Sequence, residues 1–257
     1  MIEFINLSYR VNGKRILSGI TASAKDGEIT VILGKNGSGK TTLVRAISAP
    51  CEHRRYIEGE ILVSGENALA LSPRALSSRI SLLPQLLPTV MTTVTDLVSL
   101  AMMTDRSPFS RLGEDQKRRV RTAIDTVGLS HLADSPIARL SGGERQLAYI
   151  AMMMAKGAEN LILDEPTSAL DPVNRGAVLE FLRRMREEGR AVIVVLQDMN
   201  DAIAIADRVI VIDKGGVTFD GTPQQLESSD IPSRHFGLVP CRVEKDGESF
   251  TAYFPKK

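Results

Sequence analysis

Short apolar runs alternate with stretches of helical period along most of this chain. Phe4 to Tyr9 and Ile16 to Ala22 predict two short strands, and Glu28 to Leu33 a buried strand that runs into a glycine-rich loop. From Thr41 the period changes to that of a helix. Glu60 to Val63, followed by Ser64-Gly65, predicts a strand and turn, and Ile80 to Leu83 a strand that Pro84 ends. From Val94 to about Ala155 the texture is mainly helical, with a loop at Ser107 to Ser110 and a polar helix over Glu114 to Val127. Strand character returns at Asn160 to Asp164, Ala191 to Leu196 and Arg208 to Asp213. Helices are predicted between these strands, over Val173 to Glu188 and Asp201 to Ala206, and Lys214-Gly215-Gly216 fits a hairpin turn.

Apolar strands that alternate with helices imply an α/β fold with a largely parallel sheet covered on both faces. The helical middle, about residues 91–156, reads as an inserted lobe within a main domain spanning 1–227. Residues 228–257 form a tail of mixed pattern, with Pro232, Pro240 and Pro255, to which the periodicity assigns no role.

Composition narrows the function classes. The 257 residues are 43% hydrophobic and 25% charged, with a net charge of +1, which is ordinary for a globular chain. A near-neutral balance argues against a dedicated nucleic-acid binder. Aromatics make up 4% with no Trp, so base-stacking platforms are not expected. The start, Met1 to Asn6, lacks the basic and apolar regions of a signal peptide. The longest nearly apolar stretch, about Leu147 to Ala155, falls short of the ~20 residues that span a bilayer. Cys51 and Cys241 lack metal-ligand spacing and read as free thiols.

The chemistry begins at Gly34 to Thr41. A strand, then G-x4-G-K-T, then a helix is the context that makes a phosphate-binding loop credible. Gly34, Gly37 and Gly39 let backbone approach a phosphate closely. The amides from Asn36 to Thr42, Ser38 among them, face it at a helix N-terminus. Lys40 is expected at the β- and γ-phosphates of ATP, and the Thr41 hydroxyl at Mg²⁺. Asp164 and Glu165 end an apolar strand of the same sheet. Asp164 is expected in the magnesium shell and Glu165 as the general base that polarises water. A solvated acidic strand end is the plainer reading of such a pair, and the nearby loop weighs against it.

A second amide nest lies at Ser141-Gly142-Gly143-Glu144, a hydroxyl and glycine pair opening another helix. One triphosphate rarely needs two separated nests from one domain. The pattern therefore predicts a dimer in which the second nest serves a nucleotide held by another copy.

With these residues in order, the chain resembles the ATP-binding-cassette (ABC) ATPases over almost all of its length, from Tyr9 to about Gln225. The shared set is Gly34 to Thr41, Gln85, Leu140 to Gln146, Leu161 to Pro166, and Ser168-Ala169-Leu170-Asp171. The resemblance implies a P-loop NTPase fold with an antiparallel β subdomain and the inserted helical subdomain. It implies that Tyr9 stacks on adenine, although a core strand position is the competing reading. It implies that Gln85 touches Mg²⁺ and senses the partner, that Ser141 to Gly143 clamp the γ-phosphate across a head-to-tail dimer, and that Asp171 links the two sites.

One departure stands out. The family usually has a histidine after the strand ending at Leu196, and this chain has Gln197 followed by Asp198. A glutamine can donate a neutral hydrogen bond but never a charged one. Either turnover is slow, or the site traps ATP, or the glutamine simply suffices.

Members fused to membrane spans, double cassettes and coiled-coil repair types do not fit this chain. The resemblance then points to a separate ATPase subunit, peripheral on the cytoplasmic face of the inner membrane and bound to transmembrane permease subunits. It would meet a substrate-binding protein only indirectly. Met91, Met102 and Met103 are expected either at that permease contact or as core filling. Leu97 to Ala101, Arg106 to Phe109 and Glu114 to Leu132 resemble importers of ferric siderophores, haem and cobalamin. The alternative is a soluble ABC ATPase of iron–sulfur cluster assembly.

Overall fold

A computed structural model describes residues 1–48, 50–103, 112–168, 170–245 and 248–256. The chain opens with β1 (Ile2–Val11), β2 (Lys14–Ala24) and β3 (Glu28–Leu33), then α1 (Lys40–Ser48) and the one-turn α2 (Pro50–His53). β4 (Ile57–Val63), β5 (Glu66–Asn67), α3 (Pro73–Arg79) and β6 (Ile80–Leu83) follow. Three helices come next: α4 (Val94–Leu100), α5 (Glu114–Thr126) and α6 (Gly142–Lys156). The chain then alternates through β7 (Asn160–Asp164), α7 (Pro172–Glu187), β8 (Ala191–Val195), α8 (Met199–Ile205), β9 (Arg208–Asp213) and β10 (Gly216–Gly221). The tail holds α9 (Pro223–Glu227), α10 (Ile231–Phe236), β11 (Leu238–Lys245) and β12 (Glu248–Pro255).

The central sheet has the order β10-β9-β3-β8-β7-β6, parallel except for β10, which turns back on β9. Lys214 and Gly215, with φ of 48° and 82°, make the two-residue turn that this hairpin needs. A smaller antiparallel sheet, β2-β1-β4-β5, lies to one side.

Alternation along each central strand divides the core in two. Val31, Leu163, Val194 and Val211 pack with the helices α4 to α8. Their neighbours Ile32, Ile162, Ile193 and Ile210 pack with α1 and the antiparallel sheet. Each strand is therefore apolar on both faces, which is why these segments read as continuous runs rather than alternating ones. Truncating Ile193, 1% exposed, to alanine costs about 2–5 kcal/mol.

Local chemistry sets the ends of the key helices. Ser141 caps α6 by accepting from Glu144 N, while the Glu144 carboxylate accepts from Ser141 N at 2.8 Å. Gly157, at φ 69°, closes the same helix in the left-handed conformation. Pro172 occupies the first turn of α7, behind the cap Asp171.

The periodicity missed α2, α3, β5 and the tail elements. Helix α3 is one seven-residue segment, too short to show a period, though Ser72-Pro73 is a helix-start signal and Ser72 Oγ accepts from Ala75 N. The tail ends in the antiparallel hairpin β11–β12, where Pro240 sits opposite Tyr253 in a sheet of only two strands. Cys241 is free and exposed. The side chain of Cys51 and the segment 106–109 lie outside the described residues. Among those residues no helix is long and apolar enough to cross a membrane.

Candidate functional site

The carboxyl ends of β3, β6, β7 and β8 bring many of the predicted residues to one cleft of about 430 Å³. Its walls include Asn36, Gly37, Gly39, Lys40, Thr41, Thr42, Gln85, Glu165 and Gln197. Ligands of open α/β sheets gather at this edge because helix N-termini and strand ends converge there.

The loop after β3 is held from below. Gly215 N, in the β9–β10 turn, donates to Ser38 O at 3.0 Å, so the hairpin braces the loop. Gly39 adopts φ 111°, and a Cβ there would meet Leu17 Cδ2 at 2.7 Å. No other residue type fits both constraints.

Lys40 begins α1 and is 5% exposed. Its ammonium donates to Gly34 O at 2.7 Å and Lys35 O at 3.1 Å. Burial pushes its pKa below the usual lysine range, and the charges of Glu165 and Asp164 act in the opposite direction. Asp164 closes β7 at 3% exposure, and burial pushes its carboxyl upward. The Thr41 hydroxyl bonded to it pulls downward, and the neighbouring charge of Glu165 raises it further.

Asp164 Oδ1 and Ser38 Oγ are both buried without a hydrogen-bond partner. Such groups carry a desolvation cost until something satisfies them. A carboxylate oxygen without a donor suits a hard cation, and a hydroxyl in an amide-rich loop suits a phosphate oxygen. The residues present therefore fit Mg²⁺ and a triphosphate.

Glu165 is 7% exposed and holds φ at 54°, a conformation that costs a non-glycine residue energy. Two bonds to its backbone hold the bend: Glu165 N donates to Val195 O at 3.0 Å, and Ser168 Oγ donates to Glu165 O at 2.9 Å. One carboxylate oxygen accepts Gln85 Nε2 at 2.7 Å.

Ser141 to Glu144 do not line this cleft. Gly142 has open space where a Cβ would stand, whereas a Cβ on Gly143 would meet Asn174 Nδ2 at 2.7 Å. Asn174 in turn donates to Asp171 Oδ2 at 2.6 Å. The first turn of α7, with its cap Asp171, thus lies against the start of α6. Gln146 Nε2 donates to Pro166 O at 2.6 Å, tying α6 to the segment after Glu165.

Tyr9, expected to stack on adenine, is packed within the protein. It is 5% exposed in the core beside the antiparallel sheet, its hydroxyl bonded to His53 Nδ1 at 2.7 Å. Its ring lies 5.8 Å from those of His53 and Tyr56. The side chain falls on the inward parity of β1 and does not line the cleft, whereas Ile16 of β2 does. Neither Ile16 nor His53 carried a motif that would single it out. Of the three methionines, Met102 is buried in the core at 8%, Met91 is 96% exposed, and Met103 lines a separate groove beside α3 and α4.

Comparison with known proteins identifies the family. The ABC transporter family profile matches residues 17–168. The chain is 33% identical to the iron(3+)-hydroxamate import ATP-binding protein of Bacillus subtilis, over 87% of this chain and 82% of that one. It is 32% identical to the ferric enterobactin transport ATP-binding protein of Escherichia coli, over 90% and 84%. It is 34% identical to a hemin import ATP-binding protein of Bradyrhizobium diazoefficiens, over 96% and 92%. Among solved structures, a proposed metal-chelate type ABC transporter in an inward-facing conformation superposes with a TM-score of 0.85 at 26% identity, over 100% of this chain and 97% of that one. With the phosphate loop, the paired carboxylates and the second glycine turn in family order, the chain belongs to the ABC transporter family, as one of its ATP-hydrolysing subunits.

Proposed function

We propose that this chain is the ATP-binding and ATP-hydrolysing subunit that powers a membrane importer of a metal chelate, such as a ferric siderophore, haem or cobalamin. The observation that carries the reading is the single cleft lined by Lys40, Thr41, Gln85, Glu165 and Gln197, with Asp164 bonded to Thr41 beside it, on a chain similar over 87% and 90% of its length to two import ATPases.

In that reading Lys40 turns its ammonium from the loop carbonyls to the β- and γ-phosphates. Thr41, Asp164 and Gln85 would hold Mg²⁺, which would supply positive charge against the phosphates. Glu165 accepts a proton from the attacking water, and Gln197 donates a hydrogen bond toward the γ-phosphate. Asn36 to Thr42 supply amides. Ser141, Gly142, Gly143 and Glu144 of a second, head-to-tail copy close the same nucleotide, with Asp171 linking the two sites. Their place outside the cleft of their own chain supports this shared pocket.

The permease is assigned to the face that carries Leu86 and Met91, 86% and 96% exposed. The segments that flank these two residues in sequence contribute Leu82, Leu100 and Met103 to a groove of about 520 Å³, with Met152. Large apolar side chains left in water mark an interaction site. The chain then works at the cytoplasmic face of the membrane and meets a substrate-binding protein only through the permease.

The test is affinity capture of the full chain from gently solubilised membranes. A polytopic permease that stimulates its ATPase activity supports the reading. Recovery of soluble iron–sulfur scaffold proteins instead would replace import with cluster assembly.

A further inference from the structure

Gln197 stands between two pinned neighbours. On one side Leu196 N donates to Ile32 O at 3.2 Å, which ties the end of β8 to the central sheet. On the other, Asp198 caps α8, its Oδ1 accepting from Asn200 N at 2.7 Å. The remaining oxygen of Asp198 accepts Arg175 Nη2 at 2.7 Å. The same guanidinium donates its Nε–H to Asp201, with Oδ2 at 2.7 Å and Oδ1 at 2.8 Å. The side chain of Asp201 is 8% exposed and that of Arg175 34%. A planar fork that spans two carboxylates fixes both position and orientation, which a lysine ammonium does not.

Arg175 comes from α7, one residue after Asn174, which lies against Gly143. One helical turn therefore touches the second glycine nest through Asn174 and the base of Gln197 through Arg175. Behind α8, Asn200 closes a reciprocal pair with the tail. Tyr253 N donates to Asn200 Oδ1 at 2.7 Å, and Asn200 Nδ2 donates to Tyr253 O at 3.3 Å.

We propose that Arg175 is a positioning residue for hydrolysis, clamping Asp198 and Asp201 so that Gln197 follows the movements of α7 and of the glycine nest packed on it. The tail hairpin supports the far side of the same helix through Asn200. The proposal rests on the reading that Gln197 serves the γ-phosphate, and it assigns roles to Arg175 and Asn200 that no sequence motif points to.

The experiment uses the full chain with Mg²⁺-ATP. Arg175→Ala alone leaves the Asp201 carboxylate buried and unpaired, which endangers folding. Asp198→Asn is the cleaner variant, because asparagine caps helices as well as aspartate while losing the ion pair. The Arg175→Ala/Asp201→Ala pair removes both buried charges together. With either, kcat is expected to fall about 10- to 100-fold while the KM for ATP stays within about 2-fold. Arg175→Lys should recover only part of the loss. In a Gln197→Ala background neither variant should cost anything further. Amide hydrogen exchange over residues 196–201 of the nucleotide-free chain should quicken in both. A full additional loss on top of Gln197→Ala, or unchanged exchange over 196–201, overturns the clamp while leaving Gln197 its role. Unchanged kcat in Gln197→Ala itself removes that role, and the clamp with it.

Discussion

Gln85 Nε2 donates to Glu165 Oε2 at 2.7 Å, across 80 residues of sequence. The bond joins the residue expected to activate water to the loop that leads into exposed Leu86 and Met91. It engages one oxygen of the carboxylate and leaves the other for water. A displacement of that loop by a bound permease would change the surroundings of Glu165 directly, with no intervening element.

Glu165→Gln preserves the shape of the side chain and removes its ability to take a proton. Hydrolysis is expected to fall about 10²- to 10⁴-fold with ATP binding retained. Because the nucleotide then persists, size exclusion with Mg²⁺-ATP should show a stable dimer. A monomer under those conditions, with ATP bound, would sink the shared-pocket arrangement.

Asp164→Asn should separate stability from function. Burial raises the folded pKa of Asp164 above its unfolded value near 3.8, so at neutral pH its charge works against the fold. That penalty is full above the raised pKa and fades as pH falls through it toward the unfolded value. Neutralising the side chain is therefore expected to raise the Tm of the nucleotide-free chain. Mg²⁺-dependent ATP affinity should drop in the same variant, and in the wild type it should weaken as pH falls through that window. Calorimetry with and without Mg²⁺ checks both halves, and a lowered apo Tm would contradict the first.

Gln197→His places an imidazole at the cleft where a neutral amide now stands. A charge-assisted bond is roughly twice as strong as a neutral one. Turnover is expected to rise several-fold and to acquire a dependence on pH, decreasing as pH rises through about 6.5. Steady-state rates from pH 5.5 to 8.5 decide it. A flat profile with no gain would mean that glutamine suffices.

Met91→Asp tests the docking face. At 96% exposure the side chain contributes little to the core, so Tm should move by less than about 1 °C. Co-purification with the permease and permease-stimulated hydrolysis should both fall, while ATP binding by the chain alone stays unchanged. Retention of the complex would move the interface elsewhere.

Much of the chemistry was legible because it is contiguous. A strand, Gly34 to Thr41 and a helix form one phosphate loop wherever they occur, since backbone amides and a helix start need only local geometry. Asp164-Glu165 at the end of β7 and Ser141 to Glu144 at the start of α6 are readable for the same reason. The two-sided burial of β3, β7, β8 and β9 was likewise written in their unbroken apolar runs.

The side of a strand on which a residue falls was not. By its resemblance Tyr9 reads as a stacking ring, with a core position as the competing reading, and only the pairing of β1 with β2 and β4 placed it against His53 and Tyr56. The bond of Gln85 to Glu165, the reach of Arg175 to Asp198 and Asp201, and the grip of Asn200 on the tail hairpin join segments that no local pattern connects. Local periodicity and turn chemistry act over a few residues and so determined the elements and the phosphate loop. Which elements meet depends on burying two apolar faces of one sheet at once, a constraint on the whole chain that only the tertiary structure resolved.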